Sequence, residues 1–438
     1  MKTNVFTSLQ KYMDKGESLI LLIASIFVVL FDFTQRGNSF DTHLYFEAGS
    51  RFLDGKMDCL RTPVYPLILQ FSLLLFGSGG AGVFVTVLQS VLHLLSVYLL
   101  IRIGKQLFST RYLAECVALF YSVVIAPAWC NELLTESLSM SLMIIMVYEV
   151  MTLLRKWSYV RAVGIHLLAF VMLMLRPTFL ILLVALPVVW ISKFCVRSSV
   201  RIRGVILLML SCFIGVGVLM YAHNMEQHFG KKSLSISFLA NDVYMLKNSG
   251  LWDIEAIRNK EAKEKCLCVD SLWTCNYEPL YRMVTEDSSV LALLDEACDD
   301  MKMAHSQEWF RYRMRLVIES FQSRFPASVN THSFVSCCLF LWSLLLAPPL
   351  SFFYLILTLA CVLLLWYVVR RKKVLFWPSV ITMMAAMHCV GIMLSACEGF
   401  GRLMLPAYPL FLLIVGMTID VVVVHFSKNQ ARWFNKLQ

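Results

Sequence analysis

Two short polar stretches follow the first apolar run of this chain: Asp41-Thr42-His43-Leu44-Tyr45-Phe46-Glu47-Ala48, then Arg61-Thr62-Pro63-Val64-Tyr65-Pro66. If the first is helical, its four-residue spacing sets the Asp41 carboxylate and the Tyr45 phenol on one face, beside Ala48, Gly49 and Phe52. At a membrane surface such a carboxylate, partly desolvated, gains the basicity a general base needs to take a proton from an acceptor hydroxyl. Spacing alone favours a solvated aspartate that merely caps the helix. In the second stretch Pro63 and Pro66 stiffen the backbone around Arg61 and Tyr65, and a planar guanidinium suits a phosphate. An ordinary interfacial anchor fits the same residues. Three later groups carry similar chemistry: Asn131-Glu132-Leu133-Leu134-Thr135-Glu136, Arg176 before Pro177, and Glu398-Gly399-Phe400-Gly401-Arg402 leading to Pro406, Tyr408 and Pro409. Arg176 stands between two apolar runs, where an ionisable group is expensive and tends to be functional, or else it is a turn residue reaching the head groups. Glu398 and Arg402, four residues apart, also fit a simple mutual pair.

The elements that must position these residues are membrane spans. Hydrophobic residues make up 58% of the 438 and charged residues only 16%, with a mean hydropathy of +0.69, well outside the range of soluble domains. Runs at 19–32, 82–100, 137–154, 179–191, 204–221, 352–369 and 405–424 approach the roughly 20 residues a helix needs to cross a hydrocarbon core. Their backbone groups must be satisfied internally, so the fold class is all-α, a polytopic helical protein with about ten or eleven spans. A polar N-terminus and the absence of a small-x-small end argue for a retained first span rather than a cleaved leader.

Lys and Arg outnumber Asp and Glu 39 to 29, and the excess sits in clusters near span ends: Arg102/Lys105/Arg111, Arg155/Lys156/Arg161, Lys193/Arg197/Arg201/Arg203, Arg370/Arg371/Lys372/Lys373 and Lys428/Arg432/Lys436. Placed in the cytoplasm, as basic residues flanking spans are, they put both termini inside and residues 36–81, 130–136, 176, 222–332 and 397–402 on the outer face. The net charge of +10 then needs no nucleic acid to explain it. The expected organisation is an N-terminal module (1–221, about seven spans, with a first outer loop at 36–81), an extracytoplasmic subdomain (222–333) and a C-terminal module (334–438). Within the subdomain the first half reads as irregular and residues 290–325 as helix. Residues 334–347 are apolar but short, and read as re-entrant or interfacial; an additional span is the alternative.

Soluble-enzyme motifs are absent or poor. Gly230-Lys231-Lys232-Ser233 lacks the upstream glycine of a phosphate loop, and Gly77-Ser78-Gly79-Gly80-Ala81-Gly82 opens a span and reads as a flexible turn. Of the 14 cysteines, those in spans read as small hydrophobes; on the outer face Cys266 or Cys268 has a disulfide partner in Cys275 or Cys298, or none. Their spacing does not suit zinc. No Asn-x-Ser/Thr sequon occurs, which favours a bacterial inner (plasma) membrane.

Taken together and in order, these residues resemble the membrane-embedded GT-C glycosyltransferases of the protein mannosyltransferase and aminoarabinose transferase type. Asp41, Tyr45 and Ala48 nearly reproduce that family's Asp-x3-Tyr-x3-Ala pattern, with Ala48 one position early. Arg61-Thr-Pro-Val-Tyr65-Pro, Thr135-Glu136 at a span start, Arg176 and Arg402-x3-Pro406 look like further landmarks. The resemblance runs over most of residues 19–425 and is weakest across 222–332. It implies transfer of a sugar from a polyprenyl-phosphate donor to a lipid, glycan or protein acceptor at the outer surface, with inversion. Asp41 would be the base, Arg61, Arg176 and Arg402 would hold the phosphate, and Tyr45, Tyr65, Glu136 and Glu398 would line the site. Thr42 stands where the family often has a second acid, and the outer loops contain no Asp-x-Asp, so no divalent metal is expected, although Glu132 or Glu136 keeps one open. Two other classes fit less well: a polymerase or ligase using lipid-linked oligosaccharide, and a secondary transporter, which predicts repeats and midplane charges.

Overall fold

The computed structural model describes residues 15–34, 40–110, 112–123, 126–195, 201–272, 278–324, 349–369, 376–396 and 400–437. Within them six helices have the length and apolarity to cross a membrane: Val64–Leu107, Thr135–Arg155, Pro177–Phe194, Arg201–Phe229, Phe376–Met393 and Leu405–Val424. Leu113–Trp129, Tyr159–Leu175 and Leu350–Leu365 are shorter apolar helices. The chain is a multi-pass helical membrane protein. Residues 334–347, Cys275 and Glu398 lie outside the described residues.

Helix α1 (Lys15–Thr34) leads into α2 (Phe40–Leu53), which packs on the first part of α3 (Val64–Leu107). The expected outer loop to residue 81 is replaced by helix from Val64 onward. The hydrophobic run Leu67-Ile68-Leu69 through Phe76 propagates it, and Pro63 and Pro66 sit in the first turn and just before it, where a missing N–H does least harm. Gly77 (φ 64°, ψ 179°) breaks the 44-residue helix into two segments; an L side chain there would be strained, and glycine is not. The glycine cluster is therefore a kink between helices and not a loose turn.

After α3 come α4 (Leu113–Val123), α5 (Thr135–Arg155), α6 (Tyr159–Leu175), α7 (Leu182–Trp190) and α8 (Arg201–Phe229). Helix α8 runs through the expected module boundary at 222. At the end of α3 far from Tyr65, Glu17 of α1 is buried and accepts from Lys105 at 2.9 Å and Arg102 at 3.3 Å. A basic cluster is thereby tied to one end of the bundle, and the polar stretches around Asp41 and Arg61 lie at the other.

The segment after α8 is more regular than its sequence suggests. It forms α9 (Ser237–Ser249), α10 (Lys260–Leu272), α11 (Glu278–Glu286), α12 (Ser289–Ala304) and α13 (Ser306–Gln322). Short amphipathic helices need tertiary packing to persist, and these bury a second hydrophobic core around Leu239, Val243, Val284, Leu294 and Met301, joined by Leu44, Cys59 and Leu60 from the first polar stretches. Cys266 and Cys298 are buried free thiols in this core and Cys268 is an exposed one. Of the two alternatives left open, a bridge or none, these described cysteines form none, and burial pushes the Cys266 thiol up to about 12 and Cys298 also upward. Helices α14 (Leu350–Val369), α15 (Phe376–Ser395), α16 (Phe400–Leu403) and α17 (Tyr408–Leu437) complete the bundle.

Gly49 marks the closest approach of α2 to α3: a Cβ there would lie 2.6 Å from the Pro66 carbonyl oxygen and closer still to Gln70 Cγ. Gly49→Ala should therefore destabilise the protein by about 1–3 kcal/mol. Gly79→Ala, with nothing within 4 Å, should not. Thermal unfolding in one detergent compares the two.

Candidate functional site

Asp41 is the second residue of α2, and its carboxylate turns inward instead of capping the helix in water. Oδ1 accepts from Arg61 Nη2 at 2.7 Å and Oδ2 from Arg402 Nη2 at 2.9 Å. Arg61 is no surface anchor either. Its guanidinium lies 4.3 Å from the centroid of the Tyr45 ring and donates through Nη1 to the Tyr45 hydroxyl at 3.3 Å. Tyr45 packs edge-on against Tyr65 with centroids 5.0 Å apart. Tyr65 is fully buried, and its hydroxyl donates to Gln89 Oε1 at 3.5 Å.

Glu136 sits in the first turn of α5, where the helix dipole favours a carboxylate. Its Oε1 accepts from Arg402 Nε at 2.7 Å and lies 3.5 Å from Arg176 Nη1. Arg176 is where Pro177 stops α6; its backbone is extended and its side chain is largely buried. Arg402 lies on the short α16, held by a turn whose Leu403 carbonyl meets His388 Nε2 at 3.2 Å. Its partners among the described residues are Asp41 and Glu136. Seven sequence candidates thus converge: Asp41, Tyr45, Arg61, Tyr65, Glu136, Arg176 and Arg402. Glu398 falls outside the described residues.

The electrostatics correct one expectation. Burial on its own raises the Asp41 pKa, but the Arg61 and Arg402 guanidinium ions outweigh it and hold the carboxyl below its ordinary 3.8. Basicity is reduced here, not increased. Arg402 is held above its usual range: burial opposes the charge, and Glu136 and Asp41 more than restore it. Within this lattice Arg61 Nε, Arg176 Nη1 and Glu136 Oε2 are buried with no hydrogen-bond partner among the described residues. Buried guanidinium N–H groups left open are costly, and an anionic ligand with several acceptor oxygens would satisfy them.

Several positioning residues were not singled out by sequence. Asp58 is buried and its Oδ1 accepts from the backbone N–H groups of Leu60 at 2.9 Å and Arg61 at 2.7 Å, while Oδ2 accepts from the Tyr281 hydroxyl at 2.7 Å. Burial raises its pKa against these bonds. The same loop receives Ile236 N–H on the Cys59 carbonyl and Ser235 Oγ on the Leu60 carbonyl. The Arg61 turn is thereby fastened to the α9–α12 subdomain. An Asp three residues before a turn-borne Arg is a local signal for the two backbone bonds; nothing local signals Tyr281. Gln89, fully buried, donates to the Cys130 and Glu132 carbonyls at 2.8 and 2.9 Å, and a Gln within an apolar span is itself a flag. Gln70 donates to the Phe46 carbonyl at 2.6 Å, tying α2 to α3.

The arrangement of the helices is that of a GT-C-like fold. Among solved structures the chain is similar to the archaeal oligosaccharyltransferase AglB from Archaeoglobus fulgidus, described in complex with an inhibitory peptide and a dolichol-phosphate. The TM-score is 0.51 at 9% identity, over 98% of this chain and 52% of that one. The arabinosyltransferase EmbB from Mycobacterium smegmatis matches with a TM-score of 0.36 at 13% identity, over 95% of this chain and 42% of that one. The chain thus spans about half the length of the oligosaccharyltransferase, and the likeness is one of fold. No protein-family model matches the sequence, and no curated protein sequence is detectably similar to it.

Two measurements test the site. The Asp41 contribution to stability is fully present above its unfolded value near 3.8 and is lost only as pH falls through its lower folded value, so wild type should show no Asp41 carboxyl infrared band at about pH 5. In an Arg61→Ala/Arg402→Ala variant burial acts unopposed, and a ¹³C-aspartate carboxyl band absent from an additional Asp41→Asn variant should appear there. Separately, Asp58→Ala leaves two backbone N–H groups and the Tyr281 hydroxyl without their acceptor, and should lower stability by about 2–4 kcal/mol in thermal unfolding.

Proposed function

We propose that the protein transfers a sugar from a polyprenyl-phosphate donor to an acceptor hydroxyl at the extracytoplasmic membrane surface. The observation that carries this reading is the set of three guanidinium ions, Arg61, Arg176 and Arg402, gathered on Asp41 and Glu136 with Arg61 Nε and Arg176 Nη1 still open. Such a cluster suits a phosphate. The dolichol-phosphate in the AglB structure supports a lipid phosphate as the ligand, and the basic cluster tied to the opposite end of the bundle supports an outward-facing site.

In the resting site the arginines suppress the basicity of Asp41. A donor phosphate competes for the same guanidinium groups; as Arg61 and Arg402 turn to it, Asp41 loses its counter-ions and regains proton affinity in a partly buried place. The acceptor oxygen attacks the anomeric carbon, the bond from that carbon to the phosphate oxygen breaks, and the acceptor proton passes to Asp41. The released polyprenyl phosphate keeps the bonding electrons and is held by the arginines, whose fixed charges stabilise the developing anion in a water-poor cleft. Attack opposite the leaving group inverts the anomeric centre. Glu136 holds Arg402 and Arg176 in register throughout.

A divalent ion is not part of this reading. The residues suit one poorly: Asp41 and Glu136 are already bridged by the Arg402 guanidinium, and no cluster of three or more His, Cys, Asp or Glu groups occurs among the described residues.

Purified protein in lipid, given a radiolabelled polyprenyl-phosphate monosaccharide and, in parallel, a lipid-linked oligosaccharide, should move label from the monosaccharide donor and retain activity in chelator. Asp41→Asn should lower turnover by about 100-fold or more with donor still bound. Arg61→Ala should raise the donor concentration needed by about tenfold. Transfer from the oligosaccharide alone, or full turnover in Asp41→Asn, would overturn the assignment.

A further inference from the structure

Helix α13 (Ser306–Gln322) has three faces, and among the described residues only one of them meets the rest of the protein. At 100° per residue, Trp309, Tyr312, Leu316 and Ser320 form a sector packed toward the membrane core and helices α14 and α15. From the same side Arg313 donates through Nη2 to the Met393 carbonyl and through Nη1 to the Ala396 carbonyl, both at 3.2 Å, closing the C-terminal end of α15. A second sector holds Phe310, Met314, Ile318 and Phe321, spaced four, four and three apart. They are 65%, 44%, 61% and 41% exposed. Arg311 and Arg315 lie along the edge of that sector, both exposed, with Glu308 and Glu319 beyond them; Arg315 Nε donates to Glu319 Oε1 at 2.9 Å at the surface, an exposed pair that a lipid phosphate can compete for.

Four large apolar side chains in one open row are unusual for a water-facing helix. The row also has a direction. At its C-terminal end the Phe321 ring packs edge-on against Tyr354, centroids 4.9 Å apart, and Leu350 N–H donates to the Ser323 carbonyl at 2.7 Å. These contacts set it beside α14, a shorter apolar helix whose Phe352, Leu355, Leu359 and Val362 are themselves exposed. The stripe is thus continuous with the surface that faces lipid. At its N-terminal end a shallow hollow of about 320 Å³ is lined by Ser306, Gln307, Phe310 and Arg311.

We propose that α13 is an interfacial helix, lying in the head-group layer of the bilayer that holds the spans. Its apolar row rests on acyl chains, and Arg311 and Arg315 engage anionic phospholipid phosphates, with the hollow at Arg311 receiving one head group. An open apolar row edged by cations is the pattern by which helices seat on anionic membranes. A second protein molecule would have to displace lipid from the adjoining face of α14 to reach this row. The seated helix also fixes the end of α15 through Arg313, directly before the chain continues to Arg402.

The test places a photoreactive benzoyl-phenylalanine at Phe310 or Ile318, and for comparison at Glu308 or Glu319, in full-length protein reconstituted into phosphatidylcholine vesicles containing radiolabelled phosphatidylglycerol. Illumination should give lipid adducts at 310 and 318 and few at 308 and 319. Arg311→Glu with Arg315→Glu should cut phosphatidylglycerol labelling relative to phosphatidylcholine by roughly thirtyfold or more, the weight of two arginines at an anionic surface. Equal labelling of both faces, chain-to-chain adducts in place of lipid adducts, or unchanged lipid preference in the double variant would overturn the proposal. The readout is a covalent lipid adduct and involves no glycosyl transfer, so its failure is separate from failure of the proposed reaction.

Discussion

One guanidinium holds the site together. Arg402 bonds at once to Asp41, 361 residues earlier, and to Glu136, 266 residues earlier. Two largely buried carboxylates that close would repel each other and one would take up a proton; the cation between them lets both stay ionised. Arg61 adds a second cation on Asp41 and Arg176 a second beside Glu136, so three guanidinium charges face two carboxylates. The surrounding elements serve this arrangement: Pro177 ends α6 so that Arg176 turns inward, and the turn around Pro406 sets Arg402 just ahead of the final long helix. A buried ion network of this kind contributes little net stability after desolvation.

The molecule has two hydrophobic cores, one in the membrane bundle and one in the α9–α12 subdomain. Among their points of contact is the turn 58–61, where Asp58, Cys59 and Leu60 present one acid and two carbonyls to Tyr281, Ile236 and Ser235. That turn also delivers Arg61. Any displacement of the subdomain that disturbs these bonds therefore acts on the position of the Asp41 counter-ion, and a ligand that draws Arg61 away acts back on the subdomain by the same linkage.

Much of the site was legible because it is local. Asp41 and Tyr45 share a helix face through their spacing, and Arg61, Glu136, Arg176 and Arg402 announce themselves as charges at the edges of apolar runs. Their ion pairing was not legible, since which acid meets which arginine depends on how helices hundreds of residues apart converge, and that pairing reversed the expected shift in Asp41. The all-helical, multi-span class followed from composition. The helix from Val64 was hidden because its apolar residues precede a glycine-rich stretch that resembles a turn. The helices after α8 were hidden because their apolar positions only make sense once Leu44, Cys59 and Leu60 are packed against them.

Gly77 carries a last consequence. The α3 segment before it holds Tyr65 and Gln70 against α2, and the 30 residues after it extend about 45 Å, more than a hydrocarbon core requires. A helix longer than the bilayer adapts by tilting, and the tilt changes with lipid thickness. The two segments nonetheless stay joined, since the Tyr65 hydroxyl before the break donates to Gln89 Oε1 after it. A change in tilt of the long segment is therefore passed through Gln89 both to Tyr65 and to the Cys130 and Glu132 carbonyls that precede Glu136.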